Sequence, residues 1–144
     1  TLYFANSIYK PSYISLQTAL SFYGIIPEAV PEITSVTTLK TKTFSNDFGE
    51  YSYKNIKPDL MFGYDLREME GGRRIMFATP EKALADLLYL YPFYNTEREL
   101  EELRLDESYM EDDLNTDRLM EYSYRIGSKA LINRIDMLRK VYNL

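Results

Sequence analysis

The sequence predicts an α+β fold: roughly four strands in a mostly antiparallel or mixed sheet packed with helices, then an acidic, helical C-terminal third. Three observations predict it. Apolar residues recur at helical spacing in residues 15–24 and 79–92. Between them, residues 33–78 are rich in Thr, Val, Ile and Tyr, and turn residues interrupt them. Beyond residue 95 helical patterning returns with no further strand signal. The length, 144 residues, is that of a single domain spanning 1–144.

The elements follow in order. Pro11 precedes a helix for which Ser15 is the N-cap, its hydroxyl expected to accept from an orphan N–H one turn in. Leu16, Ala19, Leu20 and Tyr23 make its apolar face, and Gly24 is placed to end it in a left-handed conformation. Residues 33–44 read as one strand and residues 48–56 as a second, with Asn46-Asp47 as the turn between them. Residues 61–67 read as a third, alternating Phe62, Tyr64 and Leu66 against Gly63 and Asp65. Gly71-Gly72 turns the chain into a fourth, residues 73–78, whose apolar centre belongs inside a sheet.

The next helix has the clearest start. Thr79 is its N-cap, Pro80 suits the first helical position, and Glu81 meets the positive end of the helix dipole. Leu84, Leu87, Leu88 and Tyr91 form its buried stripe. Lys82 and Asp86, four residues apart, read as a pair on the solvent side. The alternative is a buried carboxylate meeting a lysine between helix and sheet. Leu100, Leu103 and Leu105 anchor an acidic helical stretch. Asn115 or Thr116 caps a further helix, Gly127 ends it, and Ser128 caps a last one carrying Leu131, Ile135, Leu138 and Tyr142 on one side.

Composition removes several function classes. The chain has no Cys and no His, which excludes disulfides, thiolate metal sites, histidine cages and His-based triads. No phosphate-cradling glycine loop occurs, and no carboxylate has a Lys two residues later in the manner of nuclease cores. Gly127-Ser128 lacks the carboxylate pair that a nucleotidyltransferase start requires. The sequence therefore predicts no enzyme, no cofactor and no metal. No apolar run is long enough to span a membrane, and no export signal opens the chain, so a cytoplasmic location is expected.

Charge is uneven. Against a net charge of −5, residues 95–121 carry 3 basic and 11 acidic groups. That acidic segment, from Glu97 to Glu121, reads as a solvated helix face; its functional alternative is an interaction surface for a basic partner. The candidate nucleic-acid contacts are Lys40, Lys42, Lys54, Lys57, Arg73 and Arg74, on or beside neighbouring strands. Strand alternation places Lys40 and Lys42 on one face, and Tyr51 and Tyr53 offer stacking surfaces. The structural counterpart is edge-strand lysines that deter aggregation and tyrosines that fill a core.

Two segments resemble a known family. Residues 10–24, Lys-Pro-Ser-Tyr-Ile-Ser-Leu-Gln-Thr-Ala-Leu-Ser-Phe-Tyr-Gly, resemble the YxSxxSALxxxGL helix of AbiEi-type antitoxins, with Thr18 where Ser is frequent and Ile25 where Leu is frequent. Residues 79–89, Thr-Pro-Glu-Lys-Ala-Leu-Ala-Asp-Leu-Leu-Tyr, resemble that family's xxEKALxDLL helix. The likeness covers about residues 3–92, and the joint order of the two motifs carries it. It implies the C-terminal domain of an antitoxin of a bacterial type IV toxin–antitoxin, abortive-infection system. An upstream winged helix would bind operator DNA. The partner toxin would be a nucleotidyltransferase, countered without a stable complex. The resemblance brings no catalytic residues; Ser15, Ala19, Leu20, Gly24, Thr79, Glu81, Lys82 and Asp86 read through it as determinants of the fold.

Overall fold

A computed structural model describes residues 2–144. The chain runs α1 (Leu2–Ile8), β1 (Ser12–Ile14), α2 (Leu16–Phe22), β2 (Ile33–Thr37), β3 (Lys42–Asn46), β4 (Gly49–Asn55), β5 (Tyr64–Glu68), β6 (Arg74–Ala78), α3 (Pro80–Leu90), α4 (Glu97–Glu102), α5 (Thr116–Ile126) and α6 (Lys129–Tyr142). Short 3-10 turns cover Pro58–Leu60 and Glu70–Gly72, and a π-helical turn covers Tyr109–Asp113. The fold is α+β, as the sequence predicts, but the sheet has six strands rather than four, ordered β3-β4-β2-β1-β6-β5. Pairing is mixed: β1–β6 and β2–β4 are parallel, and the others antiparallel.

The two extra strands have separate causes. Residues 33–44 do not make one strand. The chain leaves β2 after Thr37, loops through residues 38–41 and returns as β3. The Asn55 amide holds that loop, donating to the carbonyls of Thr38 at 3.2 Å and Leu39 at 2.8 Å. The other is β1, three residues long and too short to show alternation. It lies at the centre of the sheet with all three residues buried. The strand expected over residues 61–67 begins only at Tyr64, after Gly63 turns the backbone at φ +76°. Helix α1 was not foreseen; it covers one face of the sheet, and the Tyr53 hydroxyl donates to its Ala5 carbonyl at 2.6 Å.

The caps of α3, α5 and α6 form as expected. Thr79 accepts from the Lys82 N–H, Asn115 from Arg118 and Ser128 from Leu131. Ser15 does not cap α2. Its hydroxyl instead donates to Asp86 Oδ2 at 2.8 Å, and the orphan Thr18 N–H is met by the Thr34 side chain at 3.0 Å. The β2 strand thus caps α2 from outside, while Ser15 serves a buried carboxylate that has a stronger need for donors.

That carboxylate corrects the reading of Lys82 and Asp86 as a solvent-side pair. Lys82 is 0% exposed and Asp86 2%, with Nζ–Oδ1 at 2.9 Å. Every residue from Glu81 to Leu88 is buried, because α3 lies among α2, α5, α6 and the sheet. Lys82 Nζ also donates to the Leu60 carbonyl and to the Tyr13 hydroxyl, both at 2.8 Å. Tyr13 in turn donates to Asp86 Oδ2 at 2.7 Å. All three ammonium donors are used, and the carboxylate accepts from three side chains. Burial pushes the Tyr13 phenol well above its ordinary range, and the neighbouring Asp86 adds to this; the phenol stays protonated as the donor the network needs. Burial likewise raises the Asp86 carboxyl, against the opposing pull of Lys82, Tyr13 and Ser15. Gly63 makes room for the lysine stem: a Cβ there would sit 2.8 Å from Lys82 Cγ. Glu81, also buried, accepts from the Asn115 N–H at 3.1 Å and so ties α3 to the cap of α5.

Breaking this pair exposes its worth. Lys82→Met leaves a buried carboxylate without its cation and is expected to cost about 3–5 kcal/mol, read from urea unfolding. Lys82→Met combined with Asp86→Leu is expected to cost less than the sum of the two single substitutions. A second expectation concerns alkali. Burial, with a smaller contribution from Tyr51, pushes the Tyr53 phenol up to about 12 from 10.0. A raised folded value means stability is intact below pH 10 and is lost as pH climbs toward 12, because the unfolded chain ionises first. Tyrosinate absorbance should therefore lag the ordinary tyrosine curve until the chain unfolds.

Candidate functional site: a basic rim at one end of the sheet

The pairing directions decide which chain ends meet. With β1 antiparallel to β2, β2 parallel to β4 and β1 parallel to β6, the starts of β1, β3 and β6 share one end of the sheet with the ends of β2, β4 and β5. All six predicted nucleic-acid contacts fall at that end. Lys40 follows β2 and Lys42 opens β3. Lys54 is the last but one residue of β4, and Lys57 follows that strand. Arg73 precedes β6 and Arg74 opens it. A seventh cation joins them: Lys10, just before β1. It was missed because β1 itself was not legible as a strand.

These side chains lie in a rim around the sheet end, not on one flat face. Lys42 faces with its register partner Tyr53, and Lys54, the next residue in β4, faces the other way. Lys40 lies in the loop before β3, so strand alternation does not pair it with Lys42. From β3 to β6 is four strand spacings, about 19 Å at ~4.8 Å each. At ~3.4 Å of axial rise per nucleotide, a rim of that length runs alongside five or six phosphates of one strand.

Four of the seven cations are positioned without being neutralised. Lys40 is presented by a loop held on both sides, through the Asn55 amide and through the Tyr9 hydroxyl, which donates to the Lys40 carbonyl at 3.2 Å. Lys42 Nζ lies 4.8 Å from the Phe44 ring centre, Lys54 Nζ 5.2 Å from Tyr91, and the Arg73 guanidinium 4.0 Å from Tyr3. Aromatic faces hold a cation without cancelling its charge. Among the described residues, none of the seven takes part in an ion pair; the ion-paired cations are Lys82, Arg98, Arg104, Arg118 and Lys140. Glu68, Glu70 and Asp59 are the acidic residues at this end. The opposite end of the sheet carries Glu32, Asp47, Glu50 and Asp65.

The tyrosines read as stacking surfaces are not available. Tyr51 is 0% and Tyr53 1% exposed, because α1 lies over the face of the sheet they occupy. Ser15, Ala19, Leu20, Glu81, Lys82 and Asp86 are buried in or around α2 and α3, Thr79 is half-buried at the start of α3, and Gly24 follows α2 at φ +76°. The acidic segment keeps most of its carboxylates in solvent. Among the described residues, no group of three or more acidic side chains is arranged to hold a metal ion, and no helix is long and apolar enough to cross a membrane. No protein-family model matches the chain, and no curated protein matches its sequence.

The loop that carries Lys40 depends on Asn55. Asn55→Ala is expected to lower stability by about 1 kcal/mol and to speed amide exchange at residues 39–41 while leaving α3 unchanged. Hydrogen exchange read by mass spectrometry checks both.

Proposed function

We propose that this chain is a non-enzymatic antitoxin and transcriptional-regulator domain of a bacterial type IV toxin–antitoxin system. It contributes phosphate contacts to operator DNA and counteracts a nucleotidyltransferase toxin without a stable complex. The likeness of residues 10–24 and 79–89 to AbiEi-type antitoxins suggests the family. The observation that carries the DNA contact is the rim: seven cations, on or beside five strands at one end of the sheet, without ion-pair partners among the described residues. Phosphate contacts of this kind add affinity and orientation while base contacts elsewhere supply specificity. In such a role the chain works together with a sequence-reading module, since a domain of net charge −5 gains little from unspecific attraction.

The test uses the protein as its reading frame encodes it and the DNA of its own promoter. Lys40→Glu with Lys42→Glu is expected to weaken binding and to flatten the slope of log K against log salt by about 0.9 for each phosphate no longer neutralised. Lys129→Glu, on α6, is expected to leave both unchanged. Equal affinity and slope in the rim variant would reduce these lysines to edge protection. For the antitoxin role, co-expression with a nucleotidyltransferase toxin is expected to restore growth without the two proteins co-purifying.

A further inference from the structure

β5 is the last strand on its side of the sheet and, among the described residues, pairs only with β6. Asp65, Leu66, Arg67 and Glu68 are exposed, Leu66 at 59%, and its cross-strand neighbour Met76 is exposed too, at 37%. An open strand of this kind invites pairing unless something blunts it. The opposite edge, β3, opens on Lys42, whereas β5 has neither Lys nor Pro.

The backbone direction of β5 is set by its two flanking hydrogen bonds. The Met69 N–H donates to the Arg73 carbonyl at 2.6 Å, and the Gly63 carbonyl accepts from the Thr79 N–H at 3.0 Å. Inward and outward groups alternate along an antiparallel strand. Residues 63, 65, 67 and 69 therefore turn their polar backbone toward β6, and Tyr64, Leu66 and Glu68 turn theirs outward.

We propose that β5 is a self-complementary edge through which two copies of this chain pair antiparallel about Leu66, joining their sheets across a two-fold axis. Laid against itself, Tyr64-Asp65-Leu66-Arg67-Glu68 puts Leu66 opposite Leu66, Tyr64 opposite Glu68, and Asp65 opposite Arg67. Outward backbone then meets outward backbone at all three hydrogen-bonding positions. The two Asp65–Arg67 pairs occupy the intervening positions, where Cα atoms approach to about 4.5 Å and side chains are closest. The neighbouring registers that preserve backbone pairing shift by two residues. One sets Asp65 against Asp65, the other Arg67 against Arg67, so like charges reject both. Neither Asp65 nor Arg67 is in an ion pair among the described residues. Arg67 is held on its face by the rings of Phe22 and Tyr23, at 4.9 and 5.5 Å. The closed two-fold arrangement uses one patch on both copies, as isologous dimers do. This pairing is independent of any role in binding DNA.

Sedimentation velocity on the intact protein, from micromolar to near-millimolar concentration, tests it, with circular dichroism melts confirming that each variant folds. A reversible dimer is expected. Asp65→Arg and Arg67→Glu are each expected to weaken it at least about tenfold, since symmetry counts every pair twice and reversal turns attraction into repulsion. The double variant Asp65→Arg with Arg67→Glu re-creates two opposite-charge pairs and is expected to return to within about threefold of the parent. Leu66→Pro removes an outward N–H without touching the β6 ladder and is expected to give a monomer. A parent protein that stays monomeric throughout would overturn the proposal and leave this edge to a strand of a different protein. So would a dimer indifferent to Asp65→Arg and Leu66→Pro, or a double variant no tighter than the singles.

Discussion

The architecture turns on the ammonium of Lys82. It reaches from α3 to the central strand through Tyr13, to the 3-10 turn before β5 through the Leu60 carbonyl, and to Asp86 one turn along its own helix. A buried charge is tolerable only if its partners are complete. Completeness here demands particular residues at distant points in the chain: a hydroxyl at 13, a second at 15, a carboxylate at 86 and no side chain at 63. The cluster therefore fixes the azimuth of α3 and the height at which it sits on the sheet, which purely apolar packing leaves looser. Of the eight residues through which the sequence resembles the antitoxin motifs, Ser15, Lys82 and Asp86 belong to this cluster.

Much of the frame was legible. Caps at Thr79 and Ser128 are local chemistry, written within four residues, and they formed as read; of Asn115 and Thr116, Asn115 is the cap. The stop at Gly127, whose φ is +74°, also formed as read. What escaped was non-local. A hydroxyl at position 15 looks like a cap from sequence alone; only the approach of residue 86 reveals a better acceptor. An i, i+4 lysine and aspartate on a helix look solvent-facing until the helix proves to be covered on every side. β1 was invisible because three residues carry no periodicity, and its place in the sheet comes wholly from its neighbours.

The basic rim shows both halves of this lesson. Its six predicted members are recognisable as cations on or beside strands, a local property. Their convergence depends on the parallel pairings β1–β6 and β2–β4, which no local pattern announces. The expected faces were wrong for Lys40, which sits in a loop, and the expected aromatic platform was wrong because α1 takes the Tyr51 and Tyr53 face. The collection of charges survived because every strand contributes a terminus to that end, whatever the orientation of single side chains.

Seven cations against three carboxylates at one end of the strands, and four carboxylates at the other, give the sheet an electric dipole moment along the strand direction. A polyanion repels the chain as a whole, given its net charge of −5, but within a Debye length, roughly 10 Å at 0.1 M salt, its field also exerts a torque. That torque turns the positive end forward before any contact forms. Orientation on approach is thus governed by where charge sits along the strands, and the overall sign of the molecule is a poor guide to which surface arrives first.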